Sequence, residues 1–160
     1  MKEILLTQNK VVLVDNEDYE WLNKWKWYAC KTKNIFYAIR TAYKNNKSRT
    51  IRMHREILGL TFKDKLQVDH KNCDGLNNQK HNLRIATKSQ NGMNRRVLIE
   101  KTSKYKGVSW HKIHQKWRVR ININSKSQYL GFFTGEIDAA KAYDNKAKEL
   151  FGEFANLNFK

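Results

Sequence analysis

Apolar positions recur at two periods along this chain, and the changes of period mark out its elements. Near the start, "EILLT" (3–7) and "VVLVD" (11–15) are short apolar runs rich in β-branched residues, as strands require. From Asp15 the period lengthens. Tyr19, Leu22 and Trp25 stand at three-residue steps, which predicts a helix capped by Asp15 and running through Trp25. "WYAC" (27–30), "FYAIRTAY" (36–43) and "RTIRMH" (49–54) read as further strands, separated by the polar turns "KTKN" and "KNNKS". The polar run 71–82 predicts a loop, "LRIAT" (83–87) a short strand, and Thr87 or Ser89 the start of a helix.

Between Gly92 and Ser103 ("GMNRRVLIEKTS") no period holds. This predicts a first domain over 1–96, a linker at 97–103 and a second domain over 104–160. In the second domain "YKGVSW", "KWRVRININ" and "SQYLGFF" read as three strands. Trp117, Val119, Ile121 and Ile123 alternate with Arg118, Arg120, Asn122 and Asn124, so period two places the apolar set inward and the Arg and Asn set outward. "EIDAAKAYDNKAKELFG" then carries Ala139, Ala140, Tyr143, Ala147 and Leu150 at helical spacing, with Thr134 before it as the expected cap. Alanines on the buried face let a helix lie close to a sheet. The fold class expected is α+β, ending in a small three-stranded antiparallel sheet packed on one helix.

Charge narrows the partner. The 160 residues hold 32 Lys and Arg against 15 Asp and Glu, a net charge of +17, and an excess that large points to a polyanion, nucleic acid first. The excess is uneven. Residues 101–135 carry eight Lys or Arg and no acid, whereas residues 136–160 carry four Lys and five acids, which predicts a positive sheet backed by a near-neutral helix. Hydrophobic residues at 40%, with five Trp, seven Tyr and seven Phe, argue against global disorder. No long apolar run or basic amphipathic helix suggests a membrane, and "MKEILLTQNK" is too short in its apolar part for a signal peptide, so cytosolic residence is expected. Cys30 and Cys73 lie far apart with no Cys-x-x-Cys spacing, which excludes a zinc site built on paired cysteines.

Candidate chemistry sits in residues 69–91, "DHKNCDGLNNQKHNLRIATKSQN". Hydrolysing a phosphodiester needs a base for the attacking water and a cation for the charge on the departing 3′ oxygen. His70 titrates in the right range for the base. Asp69 and Asn91 offer hard oxygen donors, which favour Mg2+ or Mn2+ over zinc. In the strand-turn-strand-helix arrangement expected here, Asp69 and His70 end the first strand, Asn91 projects from the helix, and Asn82, just before the second strand, can hydrogen-bond across the loop and fix its shape. On the sheet, Arg118 and Arg120 can bridge guanine edges or phosphates, and Asn122 and Asn124 can read adenine. Lys104, Lys106, Lys112, Lys116 and Lys126 serve mainly as phosphate contacts, and Tyr129, Arg95 and Arg96 join the expected DNA-binding set. His54 is expected to pack or hydrogen-bond near the site, while His111 and His114 lack further ligands and read as polar hairpin residues.

The stretch "MHREILGL…VDHKNCDGLNNQKHNLRIATKSQN", about residues 50–96, resembles the HNH homing endonuclease family, whose core is the ββα-metal fold. The Asp74-Gly75 and Asn77-Asn78 pairs also match that family's loop. The resemblance implies metal binding by Asp69 and Asn91, general-base action by His70, and an orienting role for Asn82. Residues 104–159 resemble the ethylene-response-factor (Apetala-two) type of DNA-binding domain. The matching pieces are Tyr105-Lys106-Gly107-Val108, Trp117, Tyr129-Leu130-Gly131-Phe132-Phe133, "AAKAYD" and the terminal "LNF". In that family the three-stranded sheet lies in the major groove. Here Lys106 replaces an Arg, Ser109 and Asn122 stand where plant members have Arg, Arg120 stands for Glu and Tyr129 for Trp, so the plant target sequence does not transfer.

The expected function is that of a metal-dependent, site-specific endonuclease of the homing type, mobile-element or phage-encoded in its architecture. It acts on double-stranded DNA, with Mg2+ (or Mn2+), no small-molecule cofactor and a monomeric chain, a dimer being the alternative. Two other classes fit the charge. A non-enzymatic DNA-binding regulator would use the first domain only as a second grip, and an RNA-binding protein would exploit the aromatics.

Overall fold

Adjacent left-handed residues set the first turns of the chain. Gln8 and Asn9 take φ of 61° and 53°, and the chain reverses there so that β1 (Lys2–Leu5) pairs antiparallel with β2 (Val11–Val14). Asn45 and Asn46, at 51° and 55°, close a second tight hairpin between β4 (Ile35–Lys44) and β5 (Lys47–Arg52), with Lys44 opposite Lys47. β3 (Tyr28–Thr32) adds to the other edge of β4, which completes a three-stranded sheet in the order β3-β4-β5. The computed structural model describes residues 1–95, 102–124 and 126–159, and these divide into two units, Met1–Lys88 and Ser89–Lys160.

In the first unit Ile4, Leu6, Val12, Val14, Leu22, Trp27, Ala29, Ala38 and Met53 form one core. Helix α1 (Asn16–Leu22) ends three residues earlier than the period predicted. Trp27 takes the carbonyl at its end, Nε1 donating to Leu22 O at 2.8 Å, and the chain turns to bury that indole while Trp25 stays exposed. Asp15 does occupy the N-cap position, but its carboxylate makes no cap bond. It accepts instead from Lys80 N (2.7 Å) and Gln79 Nε2 (3.2 Å), tying the helix start to the loop beyond residue 70. The run "RTIRMH" is a strand only as far as Arg52, after which Met53–Ile57 forms helix α2. A second hairpin, β6 (Gln67–His70) with β7 (Leu83–Ala86), carries the residues singled out in the sequence.

Helix α3 (Lys88–Met93) starts at the division between the units, and all but its first residue belongs to the second. There Met93 packs against the second core, and Asn94 O accepts from Asn156 Nδ2 at 3.0 Å. Strands β8 (Val108–His111), β9 (Lys116–Ile123) and β10 (Lys126–Phe133) form an antiparallel sheet in the order β10-β9-β8, and α4 (Glu136–Phe151) lies on its apolar face. Gly107, at φ +79°, lies so close to α4 that a Cβ there would collide with the Tyr143 ring. The helix cap is Gly135 rather than Thr134, and Phe151 rather than Leu150 completes the buried face. Asp144, also buried, accepts from the backbone N–H of Asn158 and Phe159 at 2.9 Å and so fastens the C-terminal segment to the helix. Taken unit by unit, the chain is a mixed α and β protein of small antiparallel sheets. Of the expected linker 97–103, residues 97–101 lie outside the described residues.

Candidate functional site

The β6–β7 hairpin places Asp69 opposite Arg84 and His70 opposite Leu83. Directly opposed residues project to one face, so Asp69 and Arg84 meet there. Asp69 Oδ2 accepts from Arg84 Nε at 2.8 Å and Nη2 at 2.7 Å, and only 4% of the carboxylate side chain and 11% of the guanidinium side chain are exposed. Two charges this far from water stay there only when their geometry is good, and removing either would strand the other.

The loop between the strands is built from its own polar side chains. Cys73 N donates to His70 O (2.8 Å), Asp74 N to Asn72 Oδ1 (2.9 Å) and Leu76 N to Asp74 Oδ1 (3.0 Å). Asn82 spans it, with Oδ1 accepting from Asn72 N at 3.0 Å and Nδ2 donating to Asn77 O at 2.7 Å. β2 holds the loop from outside, since Leu13 N donates to Leu76 O and Asn78 N to Leu13 O, both at 2.8 Å. Gly75 presses on β4 so closely that a Cβ there would collide with the Phe36 carbonyl oxygen and the Tyr37 ring. Such a loop has little freedom, which is what a site on a loop needs in order to hold geometry.

His70 is buried, and its Nε2 lies 2.9 Å from Asn78 Oδ1, with Asn78 fully buried. An amide oxygen accepts, so Nε2 carries the proton and the lone pair is on Nδ1. Burial pushes the His70 pKa below its ordinary value, against the opposing pull of Asn78, Asp69 and Asp74. Two more rings enclose it. His54, on α2, stands edge-on with ring centroids 5.1 Å apart, and Tyr37, on β4, lies 5.9 Å away. Burial above all, then the neighbouring His70, lowers His54 to about 3, so its ring is neutral at physiological pH. Its Nδ1 is buried with no hydrogen-bond partner among the described residues.

The structure thus brings together Asp69, His70 and Asn82 with Asn78, His54, Tyr37 and Arg84. Asn78 was visible in the sequence only as the second Asn of a matching pair, with no role attached, and Tyr37 and Arg84 carried no signal. Asn91 lies on α3 in the second unit. Among the described residues no three His, Cys, Asp or Glu side chains cluster as a metal cage would. The donors singled out, a carboxylate and an amide oxygen, have the hardness that suits Mg2+ or Mn2+.

On the second unit the register places Arg118 opposite both Ser109 and Phe132, Arg120 opposite Tyr129, and Asn122 opposite Ser127, all on the face away from α4. Lys104, Lys112, Lys116, Arg120, Asn122, Lys126 and Tyr129 are exposed, and Arg118 is half-buried with Nε lacking a partner among the described residues. Two members of the expected set sit differently. Lys106 is half-buried, its Nζ donating to Met93 O. Asn124 turns left-handed at φ 48° after β9 and accepts from Ser89 Oγ at 2.9 Å. Arg95 is exposed, and Arg96 lies outside the described residues. His111 and His114 stack at 4.9 Å, and both contact Phe132. No helix among the described residues is long and apolar enough to cross a membrane.

Comparison with known proteins bears on both units. A family model described as HNH endonuclease matches residues 61–93. The chain is 32% identical over 142 residues to an uncharacterized HNH endonuclease of Acanthamoeba polyphaga mimivirus, a match covering 86% of this chain and 68% of that one. It is 30% identical over 91 residues to Protein 3.8 of Escherichia phage T7, covering 56% of this chain and 74% of that one. Over 59 residues it is 42% identical to an AP2-like ethylene-responsive transcription factor of Arabidopsis thaliana, covering 36% of this chain but only 10% of the plant protein.

Proposed function

From the premise that the chain belongs to the HNH endonuclease family, we propose that it is a site-specific, homing-type DNA endonuclease. It hydrolyses duplex DNA to 5′-phosphate and 3′-hydroxyl ends. The observation that carries this reading is the buried His70–Asn78 pair. It fixes the tautomer of an imidazole whose lowered pKa keeps it in the base form at neutral pH. His70 Nδ1 takes the proton from the attacking water, while Asn78 holds the ring, and Asn82 holds the loop in which Asn78 lies. Asp69 supplies an oxygen for a divalent cation, Mg2+ or Mn2+, with Arg84 fixing its carboxylate. That cation, when bound, supplies positive charge against the phosphate and the departing 3′ oxygen.

The exposed face of the β8–β10 sheet, with Arg118, Arg120, Asn122 and Tyr129, binds duplex DNA in the major groove and helps to choose the target. Lys104, Lys112, Lys116 and Lys126 meet phosphates. One such catalytic centre per chain fits a monomer that nicks one strand at a time, acting in the cytosol. The test uses supercoiled plasmid carrying the cognate site. Mg2+-dependent nicks that DNA ligase reseals are expected, because ligase needs a 5′-phosphate beside a 3′-hydroxyl. Nicks that ligase leaves open would refute the proposed ends, and tight binding with no nicks at all would favour a DNA-binding regulator.

A further inference from the structure

A second acid-free basic stretch, as long as the one at 101–135 and richer in Lys and Arg, lies outside both the nuclease loop and the C-terminal sheet. From Trp21 to Arg55 there are ten Lys or Arg and no Asp or Glu. Two of the ten are committed: Arg40 pairs with Glu56 at 2.6 Å, and Arg55 donates to the carbonyls of Leu66, Thr61 and Asp64. The centre of the stretch is the β4–β5 hairpin. Beyond its base Thr41, Tyr43, Lys44, Asn45, Asn46, Lys47, Ser48, Arg49, Thr50 and Arg52 are all exposed. Lys44, Lys47 and Arg52 have no carboxylate partner among the described residues, and Arg49 lies 3.5 Å over the exposed Phe62 ring.

Register ties this arm to the nuclease site. Opposed pairs put Arg52, Thr41, Thr50, Tyr43 and Ser48 on one face of the hairpin and Arg49, Lys44 and Lys47 on the other. Tyr37 shares the first face by the alternation of β4, and its ring is the one packed against His54 and His70. The strand face that packs on His54 and His70 therefore continues outward, without a break, as a row of hydroxyls, one guanidinium and an exposed tyrosine. Six residues separate Tyr37 from Tyr43, about 20 Å of extended chain. Protection of exposed strand edges would account for charge on β5 and on β4 where it runs beyond β3, but it does not account for Tyr43, an aromatic ring 79% exposed.

We propose that the β4–β5 hairpin is a second duplex-gripping arm that lies along the DNA to one side of the phosphate presented to His70. Lys44, Lys47 and Arg49 meet the phosphate backbone, and the Tyr43 face turns toward a groove. A two-stranded ribbon has the width that the major groove admits. This inference rests on reading the first unit as a DNA nuclease, and its test is run without cleavage so that the two stand or fall separately.

The full chain and its K44Q/K47Q/R49Q variant are titrated in EDTA against a mixed-sequence duplex of about 30 base pairs over a range of KCl. Each lost phosphate contact lowers the slope of log K against log salt by about 0.9, so a fall of between about 2 and 3 is expected. A charge-matched control on α4, K141Q/K146Q/K148Q, should leave the slope in place. Lysine-reactive labelling of the unmodified chain gives a second readout that no folding defect can mimic. Duplex should reduce labelling of Lys44 and Lys47 several-fold and leave Lys141 and Lys148 unchanged. An unchanged slope together with unprotected lysines would overturn the arm even if nicking were intact. A lowered slope in a chain that never nicks would keep the arm and remove the nuclease. No duplex binding by the unmodified chain would overturn both.

Discussion

Asn78 has no motif meaning of its own, yet it is the side chain that sets the tautomer of His70. Asp69, His70 and Asn91 stand out in the sequence because their types and spacing suit phosphodiester chemistry. The contact with Asn78 exists only after the loop has closed through Asn82 and β2, so nothing in the linear order announces it. Asn78→Ala leaves a buried N–H without a partner and frees the ring. Loss of a residue that orients an active-site group by hydrogen bonding typically costs 10- to 100-fold, and a fall in cleavage of about that size is expected, with duplex binding retained. Asn78→Asp puts a carboxylate on the same Nε2–H and stabilises the imidazolium, so the rising limb of the pH–rate profile should move to higher pH than in the unmodified chain. A profile that does not move would separate Asn78 from the base. His54 makes a second prediction. Its native pKa of about 3 lies below the unfolded 6.5, so only the unfolded chain takes up that proton as pH falls between those values. Stability is full above 6.5 and is lost on acidification, by about 2 kcal/mol at pH 5. Urea unfolding at pH 7 and 5 should show this loss, and His54→Phe should remove much of it.

Among the elements, strands and hairpins were legible and helix ends were not. Alternation and polar turns foretold β1 to β5 and β7 to β10 closely, because both are written in adjacent residues, and the strand expected to end at Asp69 and His70 is β6. Helix α2 escaped notice since five residues cannot display a helical period, and its Met53 and His54 look equally at home in a strand. The helical period overruns the end of α1 because Trp25 keeps the step, while burial of Trp27 decides where the chain turns. Leu150 and Phe151 both fit the α4 pattern, and contact with the sheet selects Phe151. The cross-strand pair of Asp69 and Arg84 was equally hidden, because it depends on the β6–β7 register. It carries a prediction at this scale. Arg84→Met would leave the Asp69 carboxylate buried without its partner, which should lower the unfolding free energy by about 3 to 5 kcal/mol in EDTA. Urea denaturation of the two chains measures it, and a change under about 1 kcal/mol would mean that water or another group replaces Arg84.

For the molecule as a whole, composition spoke first and most clearly. A net charge of +17 called for a polyanion, and the acid-free stretch at 101–135 fell on the exposed face of a sheet. Family membership and the match to plant AP2-like factors agree with DNA as that polyanion. The second acid-free stretch, 21–55, carries no pattern in the linear order because its charges are scattered over turns, three strands and a helix, and only the hairpin register gathers Lys44, Lys47, Arg49 and Arg52 on an arm. The cleavage proposed for the first unit turns on His70 acting as the base of a metal-dependent DNA nuclease. The measurement that tests it most directly follows cleavage and binding of cognate DNA together, for the unmodified chain and His70→Ala, with Mg2+ and with EDTA. Cleavage by the unmodified chain in Mg2+ alone, lost in the variant while its binding stays within a few-fold, is the result expected. Cleavage that survives in His70→Ala, or binding lost in parallel with cutting, would contradict the assignment.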